Sequence, residues 1–239
     1  MFETLLIQPL YNLFVFLVGI LPFGDVGFAI LIITLIVRAV FYPVFTASIR
    51  TQMGMQAAQG ELNTINDKYK DKPEERIRRT QELFKKYNIR PFMGFFALIV
   101  QFAVFIALYF ALFREGFPEI DTSLLYSFVS VPHAVGTSFL GVLDLLASRD
   151  IILAIIVAGS QYLAIRLTLA RTNNTPSSAA GQQAAAQAMQ QKLMLYFLPA
   201  LMGVVSYTFP NAVGLYFVAS NLISLAQEWW VMHQRKTQN

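Results

Sequence analysis

Long apolar runs separated by short polar segments dominate the chain. Five of them, at 26–47, 92–113, 151–170, 193–209 and 211–231, are long enough for an α-helix to cross the roughly 30 Å hydrocarbon core of a bilayer. The last two are separated only by the turn signal Phe209-Pro210-Asn211, which predicts a tight helical hairpin. Residues 4–22 are apolar but broken by Pro9, Asn12 and Pro22, so 1–25 is read as an external interfacial amphipathic helix, with a spanning helix as the alternative. The greasy stretch 124–146 is interrupted by Pro132, His133, Gly136 and Asp144 and reads as a loop with a short interfacial helix. Between the first two spans, apolar positions Met55, Ala58, Leu62, Ile65 and Tyr69, then Ile77, Thr80, Phe84 and Tyr87, recur at helical spacing. Pro73 separates the two sets, predicting a helical hairpin over 48–91.

Composition agrees with a membrane protein: 56% of the 239 residues are hydrophobic and 13% charged, about half the charged share of soluble domains. The fold class expected is an all-α integral membrane protein of five transmembrane helices. Charge placement orients it. Lys68, Lys70, Lys72, Arg76, Arg78, Arg79, Lys85, Lys86 and Arg90 crowd the segment 48–91, whereas 114–150 balances Arg114 and Arg149 against five acids. The positive-inside rule then makes 48–91 a cytoplasmic hairpin and 114–150 an external loop. It also places 171–192 and the short tail 232–239 in the cytoplasm, with the N-terminus outside and the protein multi-pass in the cell (plasma or inner) membrane. Nothing at the N-terminus has the pattern of a cleaved signal peptide. The basic hairpin face is either a solvated face or a contact for anionic lipid or ribosomal RNA. Residues 172–191 form an Ala/Gln-rich polar loop with no visible chemistry.

One residue violates the pattern. Arg38 lies inside the first apolar run, where a guanidinium that cannot shed its proton costs about 2.5–3.5 kcal/mol on insertion scales. Thr34 shares its helix face at i,i+4. Gln101, Gln161 and Asn221 lie near the middles of the second, third and fifth runs, where a single polar side chain is commonly interhelical glue. No carboxylate lies at mid-span, and Glu228 sits near one end of the fifth run. A proton pump or cation symporter needs such an acid. With no cysteine and only His133 and His233, no thiolate or paired-histidine metal site is expected, and no proteolytic constellation occurs in the spans. What remains is a wet groove with a fixed positive charge, suited either to a polar, acidic segment of another chain or to a small anion in a transporter or channel.

Several segments together carry a resemblance: Gln8-Pro9-Leu10-Tyr11-Asn12-Leu13, Val37-Arg38-Ala39-Val40-Phe41-Tyr42-Pro43, Gln101 with Ile106-Ala107-Leu108-Tyr109-Phe110, and Leu215-Tyr216-Phe217-Val218-Ala219-Ser220-Asn221. In that order, and with the hairpin between the first two spans, the chain resembles the YidC/Oxa/Alb group of membrane protein insertases. The resemblance implies a non-enzymatic insertase without cofactor or metal. It implies a hydrophilic groove open to the cytoplasm and lipid, in which Arg38 matches the groove arginine and Thr34, Gln101, Gln161 and Asn221 line the wall. Phe217, Tyr216 and Tyr162 would belong to a hydrophobic slide on spans three and five. Nascent membrane proteins are the implied partners, together with membrane lipids, and the ribosome (through the hairpin) and a Sec-type translocon are further candidates. The chain departs from parts of the group: it has no large external domain, no lipobox cysteine and no long basic tail after Trp230.

Overall fold

Helix breaks and caps decide where the polar residues meet. The computed structural model describes residues 7–110, 119–170, 189 and 192–236. Helix α1 (Gln8–Ile20) is followed by α2 (Val26–Val40), α3 (Tyr42–Ala57), α4 (Gln59–Lys68), α5 (Pro73–Lys86) and α6 (Met93–Tyr109). A short ribbon, β1 (Ser138–Phe139) and β2 (Leu143–Asp144), precedes α7 (Ile151–Ala170). A π-helical turn Leu193–Phe197 leads into α8 (Leu198–Thr208), and α9 (Asn211–Lys236) closes the chain.

The expected single helix over 26–47 is broken. Pro43 has no N–H for the Ala39 carbonyl, and its ring would collide with that carbonyl in a continuous helix. The chain turns at Phe41, and α3 leaves α2 at 71°. Among the described residues one unbroken helix, Ile151–Leu169, is by itself long and apolar enough to cross a membrane; the bent α2–α3 pair passes only as a unit. Gln8–Ile20, Met93–Tyr109 and Leu193–Thr208 are apolar but shorter. The π turn lies just before Pro199, whose missing N–H leaves the Leu195 carbonyl without its helical donor.

Between α6 and α7 the short interfacial helix expected within 114–150 is absent from the described residues. A single 3-10 turn, Thr122–Leu124, stands there instead, with the β1–β2 ribbon paired Ser138 to Asp144 and Phe139 to Leu143. Pro132 and Gly136 are poor helix residues, and side chains of α1 take up the backbone groups of this segment. Asn12 Oδ1 accepts from the Tyr126 N–H at 2.6 Å, and Asn12 Nδ2 and Gln8 Nε2 both donate to the Leu124 carbonyl. Tyr11 and Phe14 are fully buried beneath it.

The ribbon side of the molecule also holds the starts of α2, α7 and α9. Asp25 caps α2 by accepting from Gly27 and Phe28, and Asp150 caps α7 by accepting from Ile152 and Leu153. The free N–H groups at the start of α9 are taken by loop carbonyls: Asn211 donates to Ala147 and Ala212 to Leu145. α7, α8 and α9 meet through small residues. A Cβ on Gly203 would come within 3.1 Å of Ala158, and one on Gly214 within 2.6 Å of both Leu153 and Ser206.

At the other end, α4 and α5 lie antiparallel over a cluster of Ala58, Leu83 and Ile89, flanked by Met55, Leu62, Ile65, Phe84 and Tyr87. α5 ends in a Schellman turn: Asn88 takes φ 53°, its N–H reaches Lys85 and the Ile89 N–H reaches Phe84. Gly54 is the close-approach point, since a Cβ there would lie 2.8 Å from the Tyr87 carbonyl oxygen.

Candidate functional site: a polar cluster around Arg38

α2, α6 and α9 share one buried core of Ile30, Ile33, Val37, Val104, Leu108 and Leu215. Arg38 emerges at its edge. Its Nη2 donates to Ser220 Oγ at 2.8 Å and to the Ser220 carbonyl at 3.2 Å. The bend at Phe41 swings α3 back so that the Phe45 ring lies under the guanidinium, 4.2 Å from its carbon to the ring centroid. The Ser220 hydroxyl, accepting from Arg38, donates onward to Gln101 Oε1 at 3.3 Å. Gln101 Nε2 donates to the Tyr216 hydroxyl, which donates back to the Gln101 carbonyl at 3.4 Å. Each hydroxyl of the relay Arg38–Ser220–Gln101–Tyr216 thus donates once and accepts once.

Every partner in that relay is neutral. The ion pairs among the described residues all lie between residues 61 and 86, and none involves Arg38. Thr34 is buried beside the cluster, its hydroxyl committed to the Ile30 carbonyl at 2.6 Å. The space between Thr34, Arg38, Gln101, Val104, Tyr216 and Ser220 has room for about one water molecule.

The remaining candidates lie elsewhere. Asn221, one residue after Ser220, faces α7 and donates to Ser160 Oγ at 3.0 Å. Gln161 is half-buried and makes no side-chain hydrogen bond among the described residues. Of the three residues expected on a slide, Tyr216 is buried in the polar cluster, while Phe217 stacks on Phe105 of α6 at 5.7 Å between ring centroids. Tyr162 faces Tyr196 of the π turn, at 6.2 Å between ring centroids. The structure therefore brings together Arg38, Thr34, Gln101 and Tyr216 and separates Asn221, Gln161 and Tyr162 from them, while Phe217 touches the group only through its ring, 5.5 Å from that of Tyr216.

Three features were missed in the sequence. Ser220 stands i,i+4 from Tyr216, a spacing that could have placed it on the same face. Phe45 needs the bend and left no signal. Arg166, an exposed cation in α7 lying 6.0 Å from the centroid of the Tyr162 ring, was visible as a second arginine in an apolar run. No group of three or more His, Cys, Asp or Glu able to hold a metal occurs among the described residues.

With this geometry in place, comparison with known proteins decides the family. The family model described as 60Kd inner membrane protein matches residues 19–238. The chain belongs to that family. It is 30% identical over 239 residues to the membrane protein insertase YidC of Clostridium perfringens, covering 95% of this chain and 91% of the relative. The insertase YidC of Oceanobacillus iheyensis is 30% identical over 229 residues, covering 94% and 81%. That of Leptospira interrogans is 28% identical over 216 residues, covering 89% of this chain and 32% of the relative. The chain thus spans about a third of the Leptospira protein and nearly all of the Clostridium one. The resemblance to the YidC group is borne out, and the protein is a mostly helical membrane protein of the inner-membrane type.

Proposed function

We propose that the chain is a membrane protein insertase, a non-enzymatic device that takes nascent membrane proteins from the cytoplasm into the bilayer. The observation that carries this reading is Arg38: a fixed charge on a neutral hydroxyl, a carbonyl and a ring. A carboxylate is a better acceptor than any of these, since charge-assisted hydrogen bonds are roughly twice as strong as neutral ones. An acidic or polar segment of a client would displace Ser220 as the partner of Arg38, while its apolar segment passes to lipid. Burial of an apolar helix, at about 25 cal/mol per Å², supplies the driving force.

In this reading the α4–α5 hairpin is cytoplasmic and receives clients, and the ribbon side is external. Thr34 and Gln101 line the groove, with Asn221 and Gln161 on its α7 flank. Phe217 and Tyr162 contribute apolar surface on α9 and α7. The observed space beside Arg38 is far smaller than a polypeptide, so the groove must widen for a client, and the α2–α3 bend beneath Phe45 is the joint at which it would do so. Lipids, the ribosome through the hairpin and a Sec-type translocon are further partners on the same reading.

Photo-crosslinkers placed at Thr34, Ser220 and Phe217 test it against ribosome-stalled nascent chains of a single-span client. Adducts from Thr34 and Ser220 to the polar flank, and from Phe217 to the apolar segment, are expected. Adducts to lipid alone from all three positions would overturn it.

A further inference from the structure

The greasy stretch 124–146, which neither spans nor takes part in the polar cluster, carries a feature of its own. Its ribbon turns through Leu140 and Gly141, with φ of 53° and 70°, closed by the Val142 N–H on the Phe139 carbonyl at 3.1 Å. Two positive φ values in a two-residue hairpin loop are the mark of a type I′ turn, where Asn-Gly is the usual pair. Leucine pays a steric cost in that conformation. Nothing among the described residues packs over the turn to compensate it: Leu140 is 64% and Val142 90% exposed.

A second turn repeats the pattern. Phe23 has φ 60° and is 92% exposed, and Gly24 follows at 62°. This turn is stitched to the segment that leads into the ribbon: Gly136 donates to the Gly24 carbonyl and Val26 donates to the Gly136 carbonyl. The ribbon is rigidly seated, since Phe139 fills the space beside Gly27 and packs edge-on to Phe28 at 5.3 Å. No charged residue occurs from Ala134 to Leu143. On α2, Phe28 and Leu35 are exposed as well, at 40% and 58%, apolar side chains of the kind that bilayer lipid covers in a membrane protein.

We propose that Phe23, Leu140 and Val142 form a lipid anchor, dipping into the interfacial layer of the leaflet on the side opposite the α4–α5 hairpin. Two rigid turns hold apolar side chains in conformations that favour Asn or Gly because those side chains are covered by acyl chains. The anchor fixes the depth of α2, and so of Arg38, relative to that leaflet. The proposal rests on membrane embedding alone and stands whether or not the chain is an insertase.

The test uses the full chain with Trp229→Phe and Trp230→Phe, reconstituted in phosphatidylcholine–phosphatidylglycerol vesicles. Val142→Trp and Phe23→Trp, each replacing an exposed side chain, serve as separate reporters. Blue-shifted emission, quenched by lipid brominated high on the acyl chain and not by aqueous iodide, is expected for both. Iodide quenching without bromolipid quenching would overturn the proposal. Protection from both quenchers would also overturn it, since it would mean that a protein surface covers the tips.

Discussion

The contacts of Arg38 are neutral, and it has no counter-ion among the described residues. The distinction matters, because a buried arginine paired with an acid would already be satisfied. Here the guanidinium is positioned while its charge is left uncompensated. Ser220 is the group that positions it. Ser220→Ala removes a hydrogen bond to a charged group, an interaction of about 1.5–3 kcal/mol, and also cuts Arg38 from Gln101. We expect thermal unfolding in detergent to show a loss at the lower end of that range, since the Ser220 carbonyl remains as an acceptor. Asn221→Ala, on the α7 side, should cost no more than an ordinary interhelical hydrogen bond and leave client crosslinking at Thr34 unchanged. Arg38, Thr34 and Gln101 were legible in the sequence because polar atoms stand out in apolar runs. Their pairing with Ser220 was not, because it joins residues 182 positions apart, and only the α2–α9 packing sets that register.

At the scale of elements, the α2–α3 break shows why a continuous apolar run misleads. Membrane helices tolerate proline when neighbours take up the freed groups, so Pro43 alone does not predict a 71° turn. The turn is fixed by α9: Gln227 Nε2 donates to Thr46 Oγ1 at 3.0 Å and to the Tyr42 carbonyl at 3.4 Å. The stretch 124–146, read as a loop with a short interfacial helix, contains a turn and ribbon that were not legible for a related reason. Its hydrogen bonds go to Gln8 and Asn12 of α1, more than 100 residues away, and local pattern cannot show that. Glycine packing gives a sharp expectation. Gly214→Val must push into Leu153 and Ser206, and overpacking of this kind costs about 1–3 kcal/mol, readable as a lowered unfolding temperature.

The α4–α5 pair should respond to acid. Lys86 and Tyr87 both donate to Glu61 and hold its carboxyl below its ordinary value. A depressed carboxylate contributes above its unfolded pKa of about 4.3 and is lost as pH falls through the lower folded value. Spin labels at Thr64 and Gln81 should therefore give a narrow distance distribution at neutral pH that broadens only in that acid range. Glu61→Gln should abolish that step. An identical acid transition in the variant would show that Glu61 is not its source.

For the whole molecule, one end is closed by backbone and the other carries charge. Carbonyls of Leu145 and Ala147 cap α9, Asp25 and Asp150 cap α2 and α7, and α1 clamps the segment between. The basic α4–α5 pair lies at the opposite end of the α2–α3 path. In the proposed reading, orientation and a cytoplasmic hairpin rest on charge placement and five spans on the apolar runs; family membership rests on the match over residues 19–238. Arg38 lies between the end where loop carbonyls and aspartates cap the helix starts and the end that carries the basic pair. The account stands or falls on whether that charge serves a client. The most direct measurement is insertion into proteoliposomes of a single-span client whose translocated tail is either acidic or neutral, by the wild-type chain and by Arg38→Ala. The account predicts that Arg38→Ala loses most insertion of the acidic-tailed client and little of the neutral one, with Arg38→Lys in between because a point charge cannot reproduce the planar fork. Equal insertion of the acidic-tailed client by wild type and Arg38→Ala would contradict it.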